Sequence, residues 1–154
     1  MAIRTARPDD AEWVEQIVAD AYARYVPRIG REPAPMTVDY RTMIATTDQV
    51  SVAVDDSDIP IGVLVTVVET DHLLVENVAV AGSQQGRGLG RRLLAHAEEQ
   101  ARRCGLAQIR LYTNALMTEN LSMYPHLGYA EVGRRTDEGF DRVYFRRDLR
   151  PEST

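Results

Sequence analysis

The chain has 154 residues, 27% of them charged, and a formal net charge of −5. This length predicts a single domain over residues 1–154 with its own hydrophobic core. All eighteen basic side chains are arginine, which excludes Walker-type nucleotide loops and Schiff-base enzymes because both need a lysine amine. One cysteine and three scattered histidines exclude a disulfide framework and indicate that no metal is bound.

The charge and hydropathy of the chain also bear on its location and partners. The net negative charge argues against nucleic acid as a partner. The first twenty residues lack the apolar core of a signal peptide, and no apolar stretch is long enough to cross a membrane. We therefore expect a cytoplasmic protein that binds neither nucleic acid nor membrane. Whether the chain forms a homodimer is left open.

The first half of the chain begins with a strand and two helices. Ile3–Ala6 predicts a short strand, and Pro8 with the acids that follow it is a helix-start signal. Residues 26–37 contain three prolines and a glycine, so we predict irregular structure there. A second helix is predicted over Val38–Thr46. The first helix carries an apolar stripe at helical spacing, made of Val14, Ile17, Val18, Ala21 and Tyr25.

The remaining segments alternate between strands and helices. Pro60–Glu69 and His72–Ala81 are separated by two residues, which predicts an antiparallel hairpin. The helix Leu89–Cys104 has an apolar stripe that includes Cys104, and Gly105 ends it. This order predicts an α/β fold with a mixed, mostly antiparallel central sheet flanked by helices. The other predicted elements are the strands Val50–Val54, Ile109–Tyr112, Ala130–Arg135 and Arg142–Leu149 and the helix Glu119–Leu127.

Three alternating glycines lead from the predicted strand His72–Ala81 into the predicted helix Leu89–Cys104. Gly86, Gly88 and Gly90 leave backbone N–H groups uncovered, and a helix N-terminus behind them favours an anion such as pyrophosphate. A dinucleotide-binding fingerprint would need a glycine where Arg91 stands, so that fold is disfavoured. Glycines that only permit tight strand-to-helix packing are the structural alternative.

This segment resembles a known family signature. Gln85-Gly86-Arg87-Gly88-Leu89-Gly90 resembles the Gln/Arg-x-x-Gly-x-Gly/Ala motif of the GCN5-related N-acetyltransferases (GNAT), with Asn-Val-Ala-Val before it and Leu-Leu after it. The resemblance implies acetyl-CoA as co-substrate, acetyl transfer to an amine and no metal. It also implies that the strand Val78, Ala79 and Val80 pairs with the pantetheine arm, and that Gln85, Gly86, Arg87, Gly88, Leu89, Gly90 and Arg91 hold the pyrophosphate.

A second block, Asn120 to Tyr129, resembles the Asn…Tyr-x-x-x-Gly-Phe/Tyr segment of the same family. By this resemblance Tyr124 donates a proton to the leaving thiolate, and Asn120 contacts the CoA arm. The chemistry is sound, since a phenol can protonate a thiolate as it departs. Two alternatives stay open: Tyr124 as a helical residue that packs beside Leu127, and Asn120 as a helix cap.

A base is needed because an amine arrives as an ammonium ion. Strand alternation places residues 74, 76, 78 and 80 on one face, which makes Glu76 the candidate base, directly or through a water. An ordinary, partly exposed carboxylate is the alternative. The resemblance places the acceptor pocket at the first two helices and their loop, where the candidate substrate residues are Tyr22, Arg28, Met36 and Tyr40.

The acceptor itself stays open at this level. Residues 1–77 carry 6 Arg and 14 acids, a balance of −8, whereas residues 78–154 carry 12 Arg and 9 acids, a balance of +3. The acidic half favours a cationic acceptor or is simply solvated, and Arg28 or Arg31 could instead bind a substrate carboxylate. The predicted function is acetyl transfer to a small primary amine by direct attack. The alternatives are a non-catalytic acyl-CoA-binding module and a protein N-terminal acetyltransferase.

Overall fold

The computed structural model describes residues 1–149, which form one seven-stranded sheet with helices on both faces. Three short 3₁₀ turns lie at Pro8–Asp10, Ala34–Thr37 and Gly82–Gln84. The strands and helices, in chain order, are β1 (Ala2–Thr5), α1 (Ala11–Tyr22), α2 (Tyr25–Ile29), α3 (Tyr40–Thr46), β2 (Val50–Val54), β3 (Pro60–Val68), β4 (Leu73–Val80), α4 (Leu89–Arg103), β5 (Gln108–Asn114), α5 (Thr118–His126), β6 (Ala130–Asp137) and β7 (Phe140–Asp148).

The sheet has the strand order β1-β2-β3-β4-β5-β7-β6. Strands β4 and β5 are parallel, and every other neighbouring pair is antiparallel. The prediction of a mixed, mostly antiparallel sheet flanked by helices is therefore confirmed. None of the helices within residues 1–149 combines the length and hydropathy that crossing a bilayer requires.

Two apolar layers hold the helices against the sheet. Helices α1 and α3 pack on one face, over Val63, Val65 and Ala79. Helix α4 packs on the other face with Tyr124 of α5, over Leu64, Leu73 and other buried strand residues. Gly62 on β3 permits the close approach of α4, because a Cβ atom there would lie 3.1 Å from a methyl group of Leu93.

Two local predictions are wrong. Residues 26–37 are not wholly irregular, because α2 occupies their first part; Pro27 lies in the first turn of this helix, where a backbone N–H has no helical acceptor to lose. Cys104 is exposed rather than part of the core, because α4 ends at Arg103 and Cys104 has already left the helical stripe.

The parallel strands β4 and β5 separate along their length. Their pairing runs only from Leu73 opposite Ile109 to Val75 opposite Leu111. Residues 76–80 of β4 and residues 112–114 of β5 continue beyond it without pairing to each other. The backbone of β4 therefore has a free edge on its β5 side, immediately before the loop that leads to α4.

Candidate active site

A β-bulge in β4 determines which of its side chains face which layer. Asn77 is the register partner of Val65 and Val75 that of Thr66, so Glu76 is an extra residue without a partner. An extra residue shifts the alternation of side chains along a strand. The predicted common face of residues 74, 76, 78 and 80 is therefore wrong: Leu74 and Glu76 line a cavity, whereas Val78 and Val80 pack on the core beneath α4.

The cavity has a volume of about 1020 Å³ and lies on the α1 face of the sheet. Its floor consists of β4, β5 and β7, and its far end of the β6–β7 hairpin. Its walls consist of Tyr22, Tyr40, residues 33–35 and residues 37–38. Glu76 is half-buried in this lining, and Asn77 beside it is buried.

Asn77 joins three elements around the cavity by hydrogen bonds. The Tyr22 hydroxyl donates to Asn77 Oδ1 at 2.6 Å, and Asn77 Nδ2 donates to the Tyr40 hydroxyl at 3.0 Å. The Tyr40 hydroxyl in turn donates to the Pro35 carbonyl at 2.6 Å. This network fixes the position of α1, α3 and the proline-rich loop relative to β4. The sequence analysis missed Asn77, and the only signal for it was an amide within an otherwise apolar strand.

Burial shifts the pKa values of the ionisable groups along this wall. Desolvation raises the pKa of Tyr40 to about 12, and desolvation raises that of Tyr22 well above its usual value. The pKa of the Glu76 carboxyl is raised, chiefly by burial and then by the charge of Glu69. Glu76 is thus a stronger base than an exposed carboxylate would be.

Tyr124 lies in the α4 layer, where it is 7% exposed. Its ring packs 5.5 Å from that of Phe145 and 5.9 Å from that of Tyr129. Burial raises the pKa of Tyr124 to about 12. The charge of Tyr124 also contributes, after burial, to the raised pKa of Tyr22.

Asn120 does not cap α5, since the cap position belongs to Met117. Its Nδ2 donates instead to Thr113 Oγ1 at 3.1 Å and contacts Met117 Sδ at 3.7 Å. Asn120 therefore connects α5 to the free end of β5.

The glycines of the loop before α4 are not there for packing. Gly86 and Gly88 have φ values of 81° and 76°, which favour glycine, and Gly90 is helical. A Cβ atom at any of the three would meet nothing within 4 Å. The packing explanation is therefore wrong, and the open space above the backbone N–H groups suits an anion.

The charges around this loop indicate the same ligand chemistry. Arg87, Arg91 and Arg92 are exposed, and within residues 1–149 they form no ion pair or side-chain hydrogen bond. The first turn of α4 contains no acid. Cations at a helix N-terminus are unfavourable because that end already carries a partial positive charge. An anion bound there would relieve this repulsion.

The structure brings together only part of the predicted acceptor pocket. Tyr22 and Tyr40 line the cavity. Arg28 instead binds Glu119 at 2.8 Å and the Leu116 carbonyl at 3.1 Å, outside the cavity lining. Met36 is half-buried and does not line the cavity, although its neighbours do.

Comparison with known proteins decides the family. The sequence model of the acetyltransferase (GNAT) family matches residues 14–129. The chain belongs to the GNAT family. The resemblance expected from the glycine loop and the Tyr124 block is thereby confirmed.

Solved GNAT structures share the fold at low sequence identity. The PaiA N-acetyltransferase of Thermoplasma acidophilum, in complex with coenzyme A, aligns with a TM-score of 0.80 at 16% identity, over 96% of this chain and 98% of that one. The ribosomal-protein-S18-alanine N-acetyltransferase of Escherichia coli aligns with a TM-score of 0.75 at 19% identity, over 99% and 96% of the two chains.

A curated relative matches more closely over a shorter segment. N-alpha-acetyltransferase 80 of Mus musculus is 46% identical over 57 residues. These residues are 37% of this GNAT chain and 17% of the mouse protein. The match therefore covers much less than half of that relative.

Proposed function

We propose that this GNAT protein transfers the acetyl group of acetyl-CoA to the primary amine of a small molecule. One observation carries the proposal: the free edge of β4 connects the glycine loop before α4 to the cavity that contains Glu76. A long thioester could thus bind its phosphates at one end of this edge and present its acyl group at the other. The coenzyme A complex of the Thermoplasma acidophilum protein supports this choice of co-substrate.

Backbone groups would make most of the contacts with the bound coenzyme A. The free edge at Val78, Ala79 and Val80 can pair with the amides of a pantetheine arm as an added strand would. The loop Gln85–Gly90 would surround the pyrophosphate with N–H groups, and Arg87 and Arg91 would supply charge. Asn120 would contact the arm from the side of α5.

We assign two proton transfers, one to Glu76 in the cavity and one to Tyr124 in the α4 layer. Acetyl-CoA supplies the thioester, and N–H groups of the Val78–Val80 edge would polarise its carbonyl. Glu76, directly or through a water, would accept a proton from the acceptor's ammonium group before the resulting amine attacks the thioester, and its raised pKa favours this role. Tyr124, protonated over the whole physiological range because its pKa is about 12, would donate a proton to the departing sulfur.

A small acceptor is favoured over a protein N-terminus because the far end of the cavity is bridged. Arg31, after α2, donates to the Glu138 carbonyl at 2.9 Å, and its guanidinium lies 3.6 Å from the centre of the Phe140 ring. This bridge joins the loop after α2 to the β6–β7 hairpin and restricts the path of a peptide. The names of the mouse and Escherichia coli relatives keep N-terminal acetylation as the second candidate.

A thiol-release assay tests the proposal. The full chain is given acetyl-CoA with a panel of small amines and with short peptides that have free N-termini. We expect thiol release with small amines and a kcat/KM at least ten-fold lower for peptides. Coenzyme A binding in calorimetry, without thiol release on any amine, would instead support a non-catalytic acyl-CoA-binding module. Faster turnover of peptides would support N-terminal acetylation.

A further inference from the structure

The cavity lining is richer in arginine than in acid, although residues 1–77 are acidic overall. Three acids line it, and two of them, Asp137 and Glu138, lie 3.0 and 3.7 Å from the buried Arg142. Glu76 remains as the lining acid without an ion pair in the described part of the chain. The lining arginines are Arg110, Arg134, Arg135, Arg142 and Arg146.

Two of these arginines lie directly opposite each other. Arg110 on β5 and Arg146 on β7 are register partners, and both line the cavity. The Cβ atoms of such partners are about 4.5–5.5 Å apart, and like charges at these positions are destabilising. Both side chains are partly exposed, so their guanidinium groups are open to a ligand.

The anionic partners of this pair are weak and lie outside the cavity. Arg110 is 3.7 Å from Asp71 and otherwise donates to the neutral Gln108 oxygen at 3.0 and 3.2 Å. Arg146 is 3.3 Å from the exposed Asp148. Exposed pairs of this kind contribute about 0–1 kcal/mol, so a ligand anion could replace them at little cost.

We infer that the acceptor carries an acidic group, a carboxylate or a phosphate, which Arg110 and Arg146 bind. This inference rests on the proposed acetyl transfer and specifies its acceptor as a small primary amine that is also an acid. Leu74 is the register partner of Arg110, and Glu76 lies two residues further along β4. Two strand residues span about 7 Å, and the long glutamate and arginine side chains reach into this interval from both ends, which suits a short acceptor such as an amino acid or an amine phosphate.

The residues between the two ends suit the body of such a molecule. Tyr112 and Tyr144 are the register partners two positions from Arg110 and Arg146; both line the cavity, and their ring centres are 5.6 Å apart. The two rings lie between the arginine pair and Asn114, and each also faces a guanidinium, that of Arg142 at 4.5 Å from the Tyr112 ring centre and that of Arg135 at 4.1 Å from the Tyr144 ring centre. The acceptor would thus place its amine towards Glu76, its carbon skeleton on the tyrosines and its acid on the arginines.

Matched acceptors test the inference with the full chain. Each α-amino acid is compared with its carboxamide, and O-phosphoethanolamine with ethanolamine, by kcat/KM in the thiol-release assay and by thermal shift. We expect the better of the two acid classes to exceed its neutral partner at least ten-fold, the effect of one charge-assisted hydrogen bond. The two arms distinguish a carboxylate from a phosphate.

Charge-removal variants connect the preference to the two arginines. The double variant Arg110→Gln/Arg146→Gln should reduce the acid-to-neutral ratio to about one, whereas Arg103→Gln, on the exposed end of α4, should leave it unchanged. Equal use of acids and neutral amines, or a ratio that survives the double variant, overturns the inference. If no amine releases thiol, the acetyl transfer proposal fails; thermal stabilisation by the acids, absent in the double variant, would still support the anion site, and its absence would overturn it.

Discussion

Glu76 and Asn77 are consecutive residues of β4, yet both line the same cavity. Neighbouring residues of a regular strand point to opposite faces, and only the bulge at Glu76 brings these two together. The bulge sits where β4 and β5 stop pairing, between Val75 and the free edge. It therefore places the proposed base next to the amide that positions the tyrosine wall.

The Tyr22–Asn77–Tyr40 network should stabilise the fold as well as the cavity. Asn77→Ala leaves the Tyr22 hydroxyl without its acceptor and removes a donor to Tyr40, and a buried polar group without a partner costs about 1–3 kcal/mol. We expect a loss of about 2 kcal/mol in the free energy of unfolding, measured with urea, and a higher KM for the acceptor.

A double-mutant cycle separates this network from simple loss of volume. Tyr22→Phe removes the same hydrogen bond from the other side, so the costs of Tyr22→Phe and Asn77→Ala should not add, with a coupling energy of about 1 kcal/mol. Additive costs would mean that the 2.6 Å contact contributes nothing to stability.

The raised pKa of Glu76 predicts that Glu76→Gln raises the stability of the protein but lowers its activity. A carboxyl whose pKa is higher in the folded than in the unfolded protein favours folding below the unfolded pKa of about 4.3, and this contribution is lost as pH rises through the folded pKa. Glu76→Gln is uncharged at every pH. It should therefore be more stable than the native protein at pH 7, with no advantage near pH 4.

The same variant should slow acetyl transfer. General-base catalysis contributes about 10²–10⁴-fold, so we expect kcat/KM to fall about 100-fold near pH 7. The fall should be smaller at high pH, where more of the amine is already deprotonated. A pH–rate profile identical to that of the native protein would remove Glu76 from the mechanism.

Tyr124→Phe tests the proposed acid without disturbing the core. The ring contacts with Phe145 and Tyr129 remain, and no group in residues 1–149 forms a hydrogen bond with the lost hydroxyl. We expect kcat to fall about 100-fold while the urea midpoint stays nearly unchanged. A kcat within a few-fold of the native value would mean that solvent protonates the thiolate.

The sequence predicted the parts of this protein that depend on local patterns. The strands and long helices follow from apolar periodicity, and the glycine loop could be recognised because Gly86 and Gly88 adopt left-handed conformations that other residues avoid. The bulge at Glu76 could not be predicted, because it depends on how β3 pairs with β4 and leaves no mark in the order of residues.

The cavity could not be predicted from the sequence either. Arg110 and Arg146 are far apart along the chain and meet only through the β5–β7 register. The acidic total of residues 1–77 therefore misrepresented the charge at the cavity, whose arginines all come from the second half of the chain. Asn77 was missed for the same reason, since its partners lie on α1 and α3.

Arg91, in the first turn of α4, should lower the stability of the protein and strengthen its binding of coenzyme A. Arg91 lies at the positive end of α4 without an ion pair in the described residues, so Arg91→Gln should raise the free energy of unfolding by about 0.3–1 kcal/mol. It should also raise the Kd for coenzyme A about ten-fold in calorimetry, through loss of a charged phosphate contact. Arg103→Gln, in the last turn of α4, is the matched control: it should lower stability and leave the Kd unchanged.

Removing the bridge at the far end of the cavity should widen the range of acceptors. Arg31→Ala deletes both the hydrogen bond to the Glu138 carbonyl and the contact with the Phe140 ring, and an exposed cation–π contact is worth only about 0.5–1 kcal/mol, so the protein should stay folded. We expect kcat/KM for peptides to rise at least ten-fold in the thiol-release assay and that for small amines to change little. Arg41→Ala, which breaks an exposed ion pair with Glu15 outside the cavity, should change neither value. Peptide turnover that is equal in the native protein and in Arg31→Ala would mean that the bridge does not restrict the acceptor.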